Sequence, residues 1–167
     1  MDHPTHPGHA PHHAPHAHQA AEAPSLDRIA FLATLHCLSG CAIGEVAGMV
    51  IGTAVGLSSG ETIALAVALA FLSGYALTML PLLRAGYGFG AATRLALAAD
   101  TASIAVMEIV DNAIMLAIPG AMDAPLDSVL FWGSLAAALA IAGVAAFPLN
   151  RWLIARGKGH AAVHAHH

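Results

Sequence analysis

Four apolar stretches, each long enough to cross a lipid bilayer as one helix, limit the folds open to this chain more than any other feature. A helix needs about 20 apolar residues to span the hydrocarbon core of a bilayer. The stretches, called spans one to four, cover about residues 29–57, 62–83, 89–118 and 128–147. Turn residues such as Pro119-Gly120 separate them. Backbone N–H and C=O groups must be hydrogen-bonded inside lipid, which an α-helix achieves within itself. The pattern therefore predicts an all-α, polytopic membrane protein with four transmembrane helices.

The composition agrees with this prediction and excludes other classes of protein. Of 167 residues, 57% are hydrophobic and only 10% are charged, whereas soluble domains carry about 25% charged residues. The net charge is -4, and the six Lys and Arg form no basic patch, so nucleic acid is not an expected partner. No arrangement of nucleophile and base is recognisable, so we expect no enzymatic activity.

Histidines mark both ends of the chain. Seven of the twelve histidines fall within the first 18 residues, four end the chain, and His36 alone lies in a span. The first tract is interleaved with Pro, Gly and Ala, which is typical of disorder. We therefore predict a disordered His-rich tail over residues 1–27, a four-helix transmembrane domain over 28–157 and a His-rich C-terminal tail over 158–167. The tail imidazoles are suited to collecting transition-metal ions.

The basic residues predict the orientation of the chain. They are Arg28, Arg84, Arg94, Arg151, Arg156 and Lys158, and all six fall on one side of the four predicted spans. Because cytoplasmic loops carry the excess of Lys and Arg, this pattern predicts a multi-pass protein of the cytoplasmic (inner) membrane with both termini in the cytoplasm.

Span one carries two stripes of side chains that each repeat every four residues. The first stripe is Gly40, Gly44, Gly48, Gly52 and Gly56. Such small residues let another helix approach closely, and we expect that helix to be span three. The second stripe is Cys37, Cys41, Glu45 and Met49, with His36 beside the first cysteine. Thiols, a carboxylate and a thioether are metal-ligand types, and most of them are unfavourable in lipid.

Span three carries the polar residues that could face this second stripe. Asp100, Met107, Asp111 and Met115 lie near one helical face, with Glu108 and Asn112 about 100° around the helix. Each acid would cost about 3 kcal/mol near the bilayer centre, so the acids should face protein or water. Matching depths in the bilayer places Cys37 level with Asp100, Glu45 with Glu108 and Met49 with Asn112.

Together these side chains predict a metal site between spans one and three. The expected ligands are His36, Cys37, Cys41, Glu45, Met49, Met107, Glu108 and Asp111. Further candidates are Asp100, Asn112, Met115 and, from span two, Met79, beside Tyr75 and Thr78. Cu(I) prefers thiolate and thioether ligands, whereas Zn(II) also accepts imidazole and carboxylate, so copper is the favoured ion and zinc the second. The predicted function is metal homeostasis, transport or delivery to another membrane protein.

Four blocks of the sequence resemble a known family. They are HCLSGCAIGEVAGMVIG at 36–52, LPLLRAG at 80–86, LAADTASIAVMEIVDNAIM at 97–115 and FPLNRWLIARGKGHAAVHAHH at 147–167. The chain resembles an uncharacterised family of bacterial membrane proteins, catalogued as domain of unknown function 4396. The resemblance implies a small helical membrane protein with polar motifs inside the membrane. It implies no established activity.

Other functions remain open from the residues alone. The acids could conduct protons or cations while the cysteines serve as buried packing residues. The glycine stripe could instead hold an accessory or assembly subunit to a larger membrane complex, and a homo-oligomer is compatible with four spans. Redox chemistry at Cys37 and Cys41 is a further alternative.

Overall fold

The computed structural model describes residues 24–156, which form four helices joined by short connections. The helices are α1 (Leu26–Val55), α2 (Ser59–Arg84), α3 (Phe89–Ala117) and α4 (Val129–Ala155). Residues 24–156 contain no β-strand, which confirms the all-α prediction. Residues 1–23 and 157–167, which hold nearly all of both predicted His-rich tails, lie outside the described residues.

Three of the helices, α1, α2 and α4, are long and apolar enough to cross a membrane. The protein is therefore a helical, membrane-type chain by length and composition. Helix α3 has a comparable length of 29 residues but a more polar composition. Its acids Asp100, Glu108 and Asp111, together with Arg94, account for the difference.

A short turn joins α1 to α2 and explains the role of one glycine. Gly56 ends α1 with a φ of 72°, a left-handed conformation that glycine adopts without strain. A Cβ atom at Gly56 would have no neighbour within 4 Å, so its expected role in helix packing is wrong. Ser58 and Glu61 then begin α2 with reciprocal hydrogen bonds that satisfy the first free backbone amides of that helix.

The other glycines of the stripe pack against α2, not against α3 as expected. A Cβ at Gly40 would lie 2.6 Å from the Cα of Gly74, and a Cβ at Gly44 would overlap the backbone of Ala70. The Ser73 hydroxyl also donates a hydrogen bond to the Gly40 carbonyl across this contact, at 2.6 Å. Helix α2 is the partner because its own small residues, including Ala66, recur at the same four-residue spacing.

Helix α4 is longer than the sequence indicated. We expected span four to end at about residue 147, but the helix continues through Pro148 to Ala155. A proline is tolerated in a membrane helix when neighbouring groups satisfy the freed backbone. The extended part of α4 is fastened to α1, because the Asn150 amide donates to the Thr34 hydroxyl at 2.9 Å. At the end of the bundle Arg151 forms an ion pair with Asp27 at 2.5 Å.

The contacts between helices give an alternating, up-and-down arrangement. Residues later in α1 contact residues earlier in α2, so these two helices are antiparallel. Residues later in α1 contact residues later in α3, so α1 and α3 are parallel. Each helix packs against the next one along the chain and α4 packs back against α1, whereas α1 and α3 meet in a narrower contact across the bundle. The five arginines within residues 24–156 all lie near the end of the bundle where α1 and α3 begin.

Candidate functional site

A buried column of polar and sulfur-bearing side chains runs between α1 and α3. We call it the polar column; its members are Cys37, Cys41 and Glu45 of α1 and Asp100, Met107, Glu108 and Asp111 of α3. Each of the seven side chains is at most 4% exposed. The parallel course of α1 and α3 brings residues at matching depths together, so one face of each helix supplies the whole column.

The end of the polar column nearest the arginines is a hydrogen-bonded cluster. The Cys37 thiol donates to Oδ1 of Asp100, with Sγ and Oδ1 3.8 Å apart. This contact confirms the expected matching of these two residues. On α2, the Thr78 hydroxyl lies 3.0 Å from Nε2 of His36 and within hydrogen-bonding reach of the Asp100 carboxylate. The imidazole of His36 therefore has Thr78 of α2 and Asp100 of α3 as neighbours.

The centre of the column brings two sulfur atoms together. The Cys41 Sγ lies 4.0 Å from the Met107 Sδ, and both side chains are buried. Two sulfur ligands about 2.3 Å from a shared ion are themselves about 4 Å apart when the angle between them is about 120°. The Glu108 carboxylate lies beside the Cys41 thiol. Neither Glu108 oxygen meets the geometry of a hydrogen bond with any residue from 24 to 156.

The far end of the column is made of carboxylates. Glu45 and Asp111 face each other across α1 and α3, with Glu108 close to both. Within the described residues, Oε2 of Glu45 and Oδ1 of Asp111 have no hydrogen-bond partner. All five arginines of residues 24–156 are exposed. A buried carboxyl group needs a cation, a proton or a donor, and no arginine of residues 24–156 supplies the cation at this end of the column.

The structure divides the expected ligand set and does not gather it around one point. Among residues 24–156, no group of three or more His, Cys, Asp and Glu side chains is arranged to hold a metal ion. His36 and Cys37 lie with Asp100, Cys41 lies with Met107 and Glu108, and Glu45 lies with Asp111.

The remaining candidates lie outside the polar column. Met49, Asn112 and Met115 line a small cavity next to Glu45 and Asp111. Met79 is not at the column: its Sδ accepts a hydrogen bond from the Thr93 hydroxyl at 3.9 Å, near the start of α3.

Two residues near these groups had no place in the expected set. Ser103 lies beside the Cys37 thiol and is fully buried. Its position, three residues after Asp100, was a usable signal, because residues three apart share a helix face. Met122 lines the same cavity as Met49, but it lies in the α3–α4 connection. Helical periodicity does not indicate which side chains of a connection face the cavity.

The family described as Domain of unknown function (DUF4396) matches residues 28–159. The protein belongs to this family. The match covers α1 from its third residue, all of α2, α3 and α4, and both sides of the polar column, and it confirms the resemblance found in the sequence. No curated protein and no solved structure matches the chain. The function of this DUF4396 protein therefore has to be argued from the column itself.

Proposed function

We propose that this protein is an integral membrane protein that binds a soft transition-metal cation, Cu(I), inside the membrane between α1 and α3. Its role would be in metal homeostasis, as a transporter or as a donor of copper to another membrane protein. The observation that carries the proposal is the buried pair of Cys41 and Met107 sulfurs at 4.0 Å. A third buried donor, the carboxylate of Glu108, lies beside that pair.

The local charge supports a cation at this position. Four acids are buried between α1 and α3, and the arginines of residues 24–156 are all exposed. A monovalent cation held by Cys41 and Met107 would lie next to Glu108 and would offset part of the carboxylate charge. Thiolate and thioether donors select Cu(I) because the ion and the sulfur atoms are both soft.

The donor set favours copper over zinc. Structural zinc sites use four protein ligands and catalytic sites three, drawn from Cys, His, Asp and Glu. Residues 24–156 present no group of three such side chains. Cu(I) accepts fewer ligands and takes methionine sulfur readily, so a pair of sulfurs with a neighbouring carboxylate fits it better.

We propose that α3 also crosses the membrane, which gives four spans. Its acids are buried, while its outward face carries apolar side chains: Ile109 is 70% exposed and Leu116 is 65% exposed. This is the arrangement expected when lipid surrounds a helix whose ionisable groups face the bundle interior. From the arginines at one end of the bundle we also propose that both termini lie in the cytoplasm and that the protein belongs to the cytoplasmic membrane.

A titration of purified full-length protein with Cu(I) tests the proposal. Under anaerobic conditions, with a chromophoric chelator as competitor, we expect the Met107→Leu variant to bind Cu(I) at least about tenfold more weakly than the wild type at one site per chain. The Cys41→Ala variant should lose that site. Both His-rich tails are present in every sample, so their contribution cancels in the comparison.

The matched control is Met79→Leu, which removes a thioether outside the column and should leave the titration unchanged. If wild type, Cys41→Ala and Met107→Leu bind Cu(I) with the same stoichiometry and affinity, the sulfur pair is a packing contact and the proposal is wrong.

A second candidate function, conduction of protons or other cations, rests on a separate observation. Glu45, Asp111 and Glu108 form a near-continuous set of carboxyl groups, and such chains relay protons in membrane proteins. In liposomes with an enclosed pH-sensitive dye, Asp111→Asn should then abolish proton flux. Cys37→Ala should leave the flux intact, because the cysteine takes no part in this mechanism. Flux that survives Asp111→Asn excludes this candidate.

A further inference from the structure

A cavity at the end of the bundle away from the arginines is lined by three methionines. They are Met49 of α1, Met115 of α3 and Met122 of the α3–α4 connection, and we call this group the methionine vestibule. The cavity has a volume of about 100 Å³. The chain has six methionines, so half of them meet at this one place although they come from three separate elements.

The rim of the cavity is accessible. Leu57 of the α1–α2 turn and Ser59 at the start of α2 are exposed, and they line the cavity together with Ala124 and Leu126 of the α3–α4 connection. A cavity of this size holds up to about seven to ten water molecules, since each needs about 10–15 Å³ of such volume. It therefore suits a small ion with part of its hydration shell better than an organic solute.

The methionine vestibule leads to the polar column. A second cavity, of about 20 Å³, shares Met49, Met115 and Met122 with the first and is also lined by Glu45 and Asp111. Both acids are 3% exposed, and the unpartnered oxygens are Oε2 of Glu45 and Oδ1 of Asp111 within residues 24–156. The two cavities thus share their methionine lining, and the smaller one reaches the buried carboxyl groups of Glu45 and Asp111.

We infer that the methionine vestibule is a second binding site, for a soft monovalent cation, at the mouth of the polar column. Thioethers are neutral, and they hold soft ions such as Cu(I) or Ag(I) while discriminating against Na⁺, K⁺ and Mg²⁺. The carboxylates of Glu45 and Asp111 below them supply the attraction for positive charge. The choice of copper as the natural ion rests on the proposed function, but the site itself is defined by its own residues.

The alternative is that these methionines only fill space. Met115 is 3% exposed, and the three side chains pack within an apolar cluster that includes Phe131 and Leu135. If the methionines only pack, added cation should change the signal of none of them. Replacing one of them with leucine should then not alter how the other two respond to the cation.

NMR of the methionine methyl groups separates these readings. Full-length protein in detergent micelles, labelled with ¹³C at the methionine methyls, is titrated with Ag(I) in chloride-free buffer. We expect the signals of Met49, Met115 and Met122 to shift together and to saturate, while the signal of Met79 stays in place. Met122→Leu should weaken the Ag(I)-dependent shifts of Met49 and Met115 at least about tenfold in Ag(I) concentration. The leucine keeps the volume of the side chain, so the fold should be preserved.

The outcomes distinguish the vestibule from the sulfur pair of the proposed function. If Met107 shifts while the three vestibule methyls do not, the vestibule inference is overturned and the proposed function stands. If the three vestibule methyls shift and Met107 does not, the inference is supported and the proposed Cys41–Met107 site fails. Unchanged shifts of Met49 and Met115 in Met122→Leu also overturn the inference, because the three thioethers then do not share an ion.

Discussion

The Gly44→Ala substitution should destabilise the folded protein. Overpacking typically costs about 1–3 kcal/mol, and we expect a value near the top of that range. A methyl group at Gly44 would overlap the backbone nitrogen and Cα of Ala70. A side chain can rotate out of the way, but backbone cannot, so α1 and α2 would have to move apart. Separation there would also loosen the contacts at Gly40 and Gly48, because all three glycines face the same helix.

The measurement is unfolding of the purified protein in mixed micelles with increasing denaturing detergent, compared with Gly133→Ala. Gly133 also lies inside a helix, but a Cβ there would have no neighbour within 4 Å. The two variants share the gain in helix propensity, which is about 1 kcal/mol. We therefore expect Gly133→Ala to be neutral or stabilising. Equal unfolding of the two variants would show that the α1–α2 contact leaves room for a methyl group at Gly44.

Glu108→Leu should raise the stability of the metal-free protein and weaken Cu(I) binding at the same time. Both carboxylate oxygens of Glu108 are buried without a hydrogen-bond partner in residues 24–156. Leaving a buried polar group unsatisfied costs about 1–3 kcal/mol, so replacing this group by leucine should raise the free energy of unfolding by a similar amount. The loss of a donor beside Cys41 and Met107 should weaken Cu(I) binding at least about tenfold.

The opposite signs of these two effects make the Glu108 test diagnostic. A group that only joins helices contributes to stability, so its removal would lower the free energy of unfolding without changing metal affinity. Glu108→Gln serves as the intermediate variant: it keeps a buried polar group, removes the charge, and should weaken Cu(I) binding with little gain in stability. A Glu108→Leu variant that is less stable than the wild type would contradict a ligand role.

Much of the fold could be predicted because bilayer thickness and helix period constrain the sequence directly. Apolar stretches of the required length predicted four helices within a few residues, and equal depths predicted the contact of Cys37 with Asp100. The end of α4 was misjudged because Pro148 does not stop a helix whose next turns pack against α1 through Asn150.

The candidate site could be predicted only in part. The residue types of the polar column were evident, since acids and thiols are out of place in apolar spans. Their grouping was not evident, because a rotation of α3 by one residue, about 100°, changes which side chains meet. Met122 could not be found at all, as its place beside Met49 and Met115 depends on how the α3–α4 connection folds back.

By itself, the sequence determined that this chain forms apolar helices with a glycine-rich face and an acidic, sulfur-bearing face on α1, because side-chain period and hydrophobicity are local properties. Only the tertiary structure decided that α2 packs against the glycine-rich face of α1 and that α3 packs against its acidic face. The backbone of another helix fits against Gly40 and Gly44 only where the opposite residue is also small, as Gly74 and Ala70 are. Once α2 occupies that side, the side left for α3 brings Cys41 and Met107 together.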